Sequence, residues 1–264
     1  AGFTNYIGVT SSSAYSAAST DYAFISQTIE GYNVADIGWG TSSPKTITLS
    51  FWAYSSLTGT FGGVVTNSAQ TRSYPFSYTI SSANTWTPIS VTIPGDTAGT
   101  WLTTNGTGMS VYFSLGMSST YSGTAGSWAG ANYLSATGAT SVVGTNGATF
   151  YITGVQLEVG SQATSFDFRS IGQELALCQR YYQGTSGTTA FYGATNYNGT
   201  LGCFNIPFVC QMRSTPSISS GRIDGITNAR GNGYWASNPS FSADQMTPTN
   251  ASIQVTIGSA QSVG

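Results

Sequence analysis

The side chains best suited to acid–base or metal chemistry are nine carboxylates and three cysteines; histidine is absent. Without histidine, Ser-His-Asp and Cys-His nucleophile pairs are excluded, and so is the commonest general base. Cys178, Cys203 and Cys210 are too few and too scattered for a zinc cage. Their odd number does not make a disulfide framework, and they are expected to be buried thiols acting as small hydrophobes. No glycine-rich phosphate loop follows a strand. What remains is a carboxylate pair, as in glycoside hydrolysis. Asp21, Glu30 and Asp36 form the only loose cluster; Asp96, Glu158, Asp167, Glu174, Asp224 and Asp244 stand apart. The chain is therefore read as a non-enzyme, with no catalytic residue, metal ligand or cofactor assigned. A calcium site built from carboxylates and carbonyls stays compatible with the sequence.

The second kind of chemistry is binding by aromatic faces. Two segments collect aromatics among small polar residues, which suits a neutral sugar. Tyr121, Trp128 and Tyr133 punctuate the long stretch Ser118–Ser141, and Tyr234, Trp235 and Asn238 lie in GNGYWASNP. Long loops in compact domains are often functional. The alternative is a covering loop whose aromatics plug the end of a β-structure.

These residues sit in a chain with unusual surface chemistry. Of 264 residues, 40% are hydrophobic and 13% aromatic, but only 6% are charged, against roughly 25% in an ordinary globular domain. The aromatics argue against disorder, and no apolar run reaches the length of a membrane span. Net charge is −2, with one lysine, Lys45, and scattered arginines. No basic stripe exists, so neither nucleic-acid binding nor membrane insertion is expected. The start, AGFTNYIGV, has no basic region, no long apolar core and no Met. The chain is expected to be processed or cut from a longer one.

The elements that must position these groups are strands. In Thr46–Tyr54, residues Ile47, Leu49, Phe51 and Ala53 share one face, and Thr48, Ser50 and Trp52 share the other. Similar runs at Tyr22–Ile29, Phe61–Thr66, Tyr74–Ile80, Trp86–Ile93, Gly108–Leu115 and Thr149–Leu157 predict an antiparallel sandwich. Asn105-Gly106, Asn146-Gly147, Asn198-Gly199 and Asn232-Gly233 suit turns with positive φ. One helix is expected over Ile171–Tyr182, with Ser170 as N-cap and Gln173 completing a capping box. Ile171, Leu175, Cys178 and Tyr182 form its apolar stripe. A helix of three turns is marginal alone, so the stripe needs a partner, in its own domain or in copies of the chain. Beyond it, Thr189–Tyr197 and Thr200–Phe208 read as a hairpin, and Pro216–Ser219 and Ser252–Ile257 as short strands. Glu158 and Arg169 flank the strand-to-helix connection, as an ion pair or as two solvated charges.

One block carries a resemblance. Phe150–Gln183 reads FYITGVQLEVGSQATSFDFRSIGQELALCQRYYQ. Its parts Gly154–Glu158, Ala163–Phe166 and Glu174–Tyr182 resemble, in order, a block recurring in bacteriophage tail-fibre and related virion structural proteins. Lys45–Gly63, Ser141–Glu158 and Pro207–Ser219 are also similar to that family. The resemblance implies a jelly roll like a carbohydrate-binding module; together with the strand and helix pattern it gives an all-β chain, with an antiparallel jelly-roll β-sandwich over 1–168, a linking helix over 169–184 and a smaller β-rich domain over 185–264. It further implies a virion tail protein outside the cell, forming a homotrimer with Ile171, Leu175, Cys178 and Tyr182 near its axis. Expected partners are other tail or baseplate proteins and host cell-surface polysaccharide or lipopolysaccharide. The aromatic segments and the family together make glycan attachment the leading expectation. A purely structural connector or capsid decoration protein, and a polysaccharide depolymerase, are the alternatives.

Overall fold

In the computed structural model the chain divides into two units, Ala1–Asp167 and Phe168–Gly264. The structure describes residues 2–184, 201–217 and 240–256 and the short strands 195–196, 226–227 and 233–234, with side chains at 2–184, 207–217 and 247–250. The chain is all-β, with antiparallel principal sheets and one α-helix among the described residues.

The first unit contains β1 (Ile7–Thr10), β2 (Tyr22–Glu30), β3 (Ile47–Ser55), β4 (Gly59–Asn67), β5 (Ser73–Ile80), β6 (Thr87–Ile93), β7 (Thr107–Met117), the two-residue β8 (Ser122–Gly123) and β9 (Ser135–Ala136), and β10 (Thr149–Val159). One four-stranded sheet runs β1-β10-β3-β6 and the other β2-β7-β4-β5. Alternation along each strand sends one set of side chains inward. Ile47, Leu49, Phe51 and Ala53 of β3 are all buried, as expected. Phe51 meets Phe113 of the opposite sheet edge-on at 5.0 Å, and Phe61 faces Phe150 at 5.9 Å. The two sheets thus face each other across a shared aromatic and aliphatic core.

The outer sides of the two sheets differ. The stretch 118–141 lies over the β4–β5 side of the β2-β7-β4-β5 sheet as a third layer, while Tyr22, Ser26 and Thr28 of β2 stay exposed. Ser73 and Ala129 exchange backbone hydrogen bonds, and Gly126 donates to the Pro75 carbonyl. Gly62 on β4 is the contact floor: a Cβ there would stand 2.5 Å from Ser135 Oγ and 2.9 Å from Ala136 N. Val64 on the same outer side is fully buried. The β1-β10-β3-β6 sheet is instead covered only at one end. There the Thr48 and Thr92 hydroxyls donate to the Gly160 and Ser161 carbonyls.

The second unit opens with α1 (Ile171–Gln179), three residues shorter than the predicted helix. Ser170 Oγ accepts the Gln173 N–H, so the predicted N-cap forms. Strands β11 (Thr195–Asn196), β12 (Leu201–Pro207), β15 (Ser240–Thr247) and β16 (Asn250–Thr256) make a sheet in the order β11-β12-β16-β15, and β13 (Ile226–Thr227) pairs with β14 (Gly233–Tyr234). Pairing of Thr195 with Cys203 and Asn196 with Gly202 matches the expected hairpin. Pro216 and Ser217 are not in a strand. Arg169 pairs with Glu174 at 3.1 Å, while Glu158 accepts from Thr164. Gly147 has φ +76°, but Gly106 does not adopt positive φ; Gln70 and Asn84 do.

Candidate binding face

The uncovered end of the β1-β10-β3-β6 sheet carries an aromatic cluster. Tyr151 of β10 and Tyr54 of β3 are direct cross-strand partners, and the pleat points both outward. Their rings stack at 5.1 Å with 9° between planes. Tyr6, just before β1, stacks on Tyr151 at 4.9 Å. Trp86, just before β6, lies 5.5 Å from Tyr54. Edge strands of a four-stranded sheet are about 14 Å apart, yet the Tyr6 and Trp86 centroids are 6.0 Å apart. The outer two rings therefore lean toward each other across the central pair.

Backbone chemistry holds this arrangement. Thr153 Oγ1 donates to the Asn5 carbonyl at 2.6 Å, fixing the residue before Tyr6. Gly8 lies beneath the rings: a Cβ there would stand 2.7 Å from Tyr151 Cδ1 and 3.2 Å from Tyr6 Cε2. Tyr54 Oη donates to Asn84 Oδ1 at 3.3 Å. Tyr6 is 59% exposed, and the other three rings are half-buried. Neighbouring outward positions are Trp52, Ser50, Pro88 and Ser90. The one charged outward side chain on this sheet, Glu158, is held at the opposite end by Thr164. The face is thus apolar and hydroxyl-rimmed without charge, which suits a neutral, hydroxyl-bearing ligand.

The aromatics singled out in the sequence are placed differently. Trp128 donates its indole N–H to the Pro94 carbonyl at 2.9 Å. It meets Trp39 at 5.1 Å, Trp101 at 5.6 Å and Tyr74 at 5.1 Å, closing one end of the core. Tyr121 packs edge-on against Tyr22 at 5.6 Å, and the Tyr133 ring lies against Gly123. The three do not converge on one surface. Trp235 and Asn238 lie outside the described residues, as does the side chain of Tyr234.

On α1, Ile171 is 85% and Leu175 55% exposed, and Cys178 is exposed too; Tyr182, beyond the end of the helix, is 73% exposed. The helix buries none of its side chains. Cys178 therefore departs from the expected buried thiol; it is exposed on α1. Cys210 is half-exposed, and the side chain of Cys203 lies outside the described residues.

The loose carboxylate cluster does not assemble. Asp21 accepts from Tyr15 Oη and from the Ala18 N–H, Glu30 is buried at the end of β2, and Asp36 pairs with Lys45 at 3.5 Å. Among the described residues no group of three or more Cys, Asp or Glu side chains is placed to hold a metal ion, and no helix is long and apolar enough to cross a membrane.

An all-β chain with an open aromatic sheet face is thus the class that fold and site define. No family model, curated protein or solved structure matches it.

Proposed function

We propose that this chain is a bacteriophage tail-fibre component, located in the virion tail outside the cell, that attaches to host-surface glycan through the open face of the β1-β10-β3-β6 sheet. The observation that carries the reading is the four-ring cluster of Tyr6, Tyr54, Trp86 and Tyr151. Tyr6 is 59% exposed and the other three rings are half-buried, whereas the fold buries Trp39 and closes Trp128 over the core. Burying such rings under a sugar releases water from a large apolar area, and their hydroxyls give the ligand orientation.

The first unit is proposed to be a jelly roll. Its eight long strands, counted along the chain, fall in the orders first, eighth, third, sixth and second, seventh, fourth, fifth. That interleaving supports a double-sheet roll of two Greek keys. A non-enzymatic role is supported by the engagement of carboxylates in structural bonds: Asp96 with Arg72, Glu158 with Thr164, and Glu174 with Arg169.

The test is binding of purified protein to host lipopolysaccharide and capsular polysaccharide, with Tyr54→Ala and Trp86→Ala compared with the native chain. Loss of binding in both variants, with unchanged melting temperature, is expected. Unchanged binding removes this face from consideration. Release of new reducing ends would replace the attachment reading with that of a depolymerase.

The exposed stripe of α1 favours an assembly role as well, for a tail connector or for a homotrimer with the stripe at its axis. Free protein that competes with phage adsorption is an attachment fibre; a connector does not compete. A monomer mass by light scattering at micromolar concentration would overturn the trimer.

A further inference from the structure

A cleft of about 310 Å³ opens on the opposite side of β1 from the aromatic face, where the edge strands β1 and β2 of the two sheets meet. Its volume is at the lower end of small-ligand sites, about 300 Å³. The floor is apolar: Val9, Ala23 and Val143 contribute to it. A β-bulge shapes it. Ala23 pairs with Gly116 but Phe24 pairs with Ser114, so Leu115 is the extra residue. The Leu115 carbonyl then accepts from both Val142 N–H, at 2.7 Å, and Val143 N–H, at 3.0 Å, which pulls that segment in as the cleft bottom.

The rim is polar and already fixed. Ser11 N–H donates to the Ala148 carbonyl and Tyr15 N–H to the Val143 carbonyl, both at 2.8 Å. Ser11 Oγ donates to the Ser13 carbonyl at 2.9 Å. On the facing side Asp21 is held through one oxygen, Oδ2, by Tyr15 Oη and the Ala18 N–H, and its carbonyl accepts from Ser118 N–H. Oδ1 is left to accept from a ligand, and the Ser12 and Ser13 side chains line the same cleft. Tyr22, 55% exposed, also lines the cleft, with its ring stacked on Phe24 at 5.6 Å.

We infer that this cleft is a second saccharide site, independent of the sheet face, that takes a single neutral pyranose. An apolar floor suits the C–H side of a sugar, and a carboxylate oxygen is the strongest acceptor for its hydroxyls. One carboxylate among serines is too few ligands for calcium. Its charge also sets selectivity: the Tyr15 hydrogen bond holds Asp21 below the ordinary carboxylate range. The group is ionised at neutral pH and repels an acidic sugar.

The experiment is saturation-transfer NMR on the full chain with glucose, galactose, methyl mannoside and glucuronic acid as separate probes. At least one neutral sugar is expected to bind, with glucuronic acid weaker by about tenfold. Asp21→Ala should weaken the neutral sugar by about tenfold, and Ser12→Trp, which fills the cleft from its exposed rim, should abolish binding. Tyr54→Ala and Trp86→Ala should leave it intact, so failure here is distinct from failure of the sheet-face reading. Absence of binding by every neutral sugar overturns the inference. So does equal binding of glucuronic acid, or unchanged binding in Asp21→Ala and Ser12→Trp.

Discussion

Arg72 holds Asp96 through two hydrogen bonds, Nε to Oδ2 at 2.8 Å and Nη2 to Oδ1 at 2.7 Å. The Asp96 side chain is only 2% exposed and that of Arg72 19%. The same guanidinium lies 5.8 Å from the Trp128 ring centroid. The pair therefore joins the end of β4–β5, the loop after β6 and the covering stretch 118–141. Removing one partner of a buried pair leaves a charge without its counter-ion. Asp96→Asn is expected to cost about 3 kcal/mol, read as a lower urea midpoint with unchanged slope.

The covering layer depends on Gly62. A larger side chain there meets both Ser135 Oγ and the Ala136 backbone nitrogen. The backbone cannot yield as a flexible side chain does. Gly62→Val is expected to destabilise by about 2 kcal/mol through overpacking. Limited proteolysis should then cut within 118–141 at protease levels that leave the native chain intact. An uncut layer would show that its other bonds suffice.

The seven strands read from alternation all exist, because half-burial imposes period two on the sequence itself. No alternation marks β1: IGVT is four residues long and only its Val9 side chain turns partly inward. The candidate site was the least legible part. Tyr6, Tyr54, Trp86 and Tyr151 are far apart in the sequence and meet through strand order, which no local pattern records. Trp128 is conspicuous among the small residues of its loop, yet its task is closing the core. A usable signal existed at Tyr54 and Tyr151. Each occupies the outward register of a strand whose inward register is filled, so neither aromatic is needed by the core.

Glu158 closes the connection after β10. Its Oε1 accepts the Thr164 N–H at 2.8 Å and its Oε2 the Thr164 hydroxyl at 2.6 Å. The hydroxyl bond first, then the amide bond, pulls its carboxyl below the ordinary glutamate value of 4.5. A depressed folded value means the contribution is complete above about pH 4.5 and is lost as pH falls through the lower folded value. The Thr164 amide resonance should titrate with a midpoint below 4.5, and Glu158→Gln should remove that titration. A midpoint at or above the ordinary value would contradict the clamp.

Tyr78 presents the reverse case, a polar atom the fold does not use. Its ring is a core member, edge-on to Phe51 at 5.1 Å and stacked on Phe61 at 5.8 Å. Its hydroxyl is buried without a hydrogen-bond partner, and burial pushes the phenol far up from its ordinary value. Phenylalanine keeps both ring contacts and removes the unpartnered oxygen. Desolvating a hydroxyl without compensation costs more than the small void its removal leaves. Tyr78→Phe is therefore expected to stabilise the first unit by about 1 kcal/mol, measured by urea unfolding. A loss of stability would mean that the hydroxyl has a partner in solution, such as a buried water, and that this partner matters to the core.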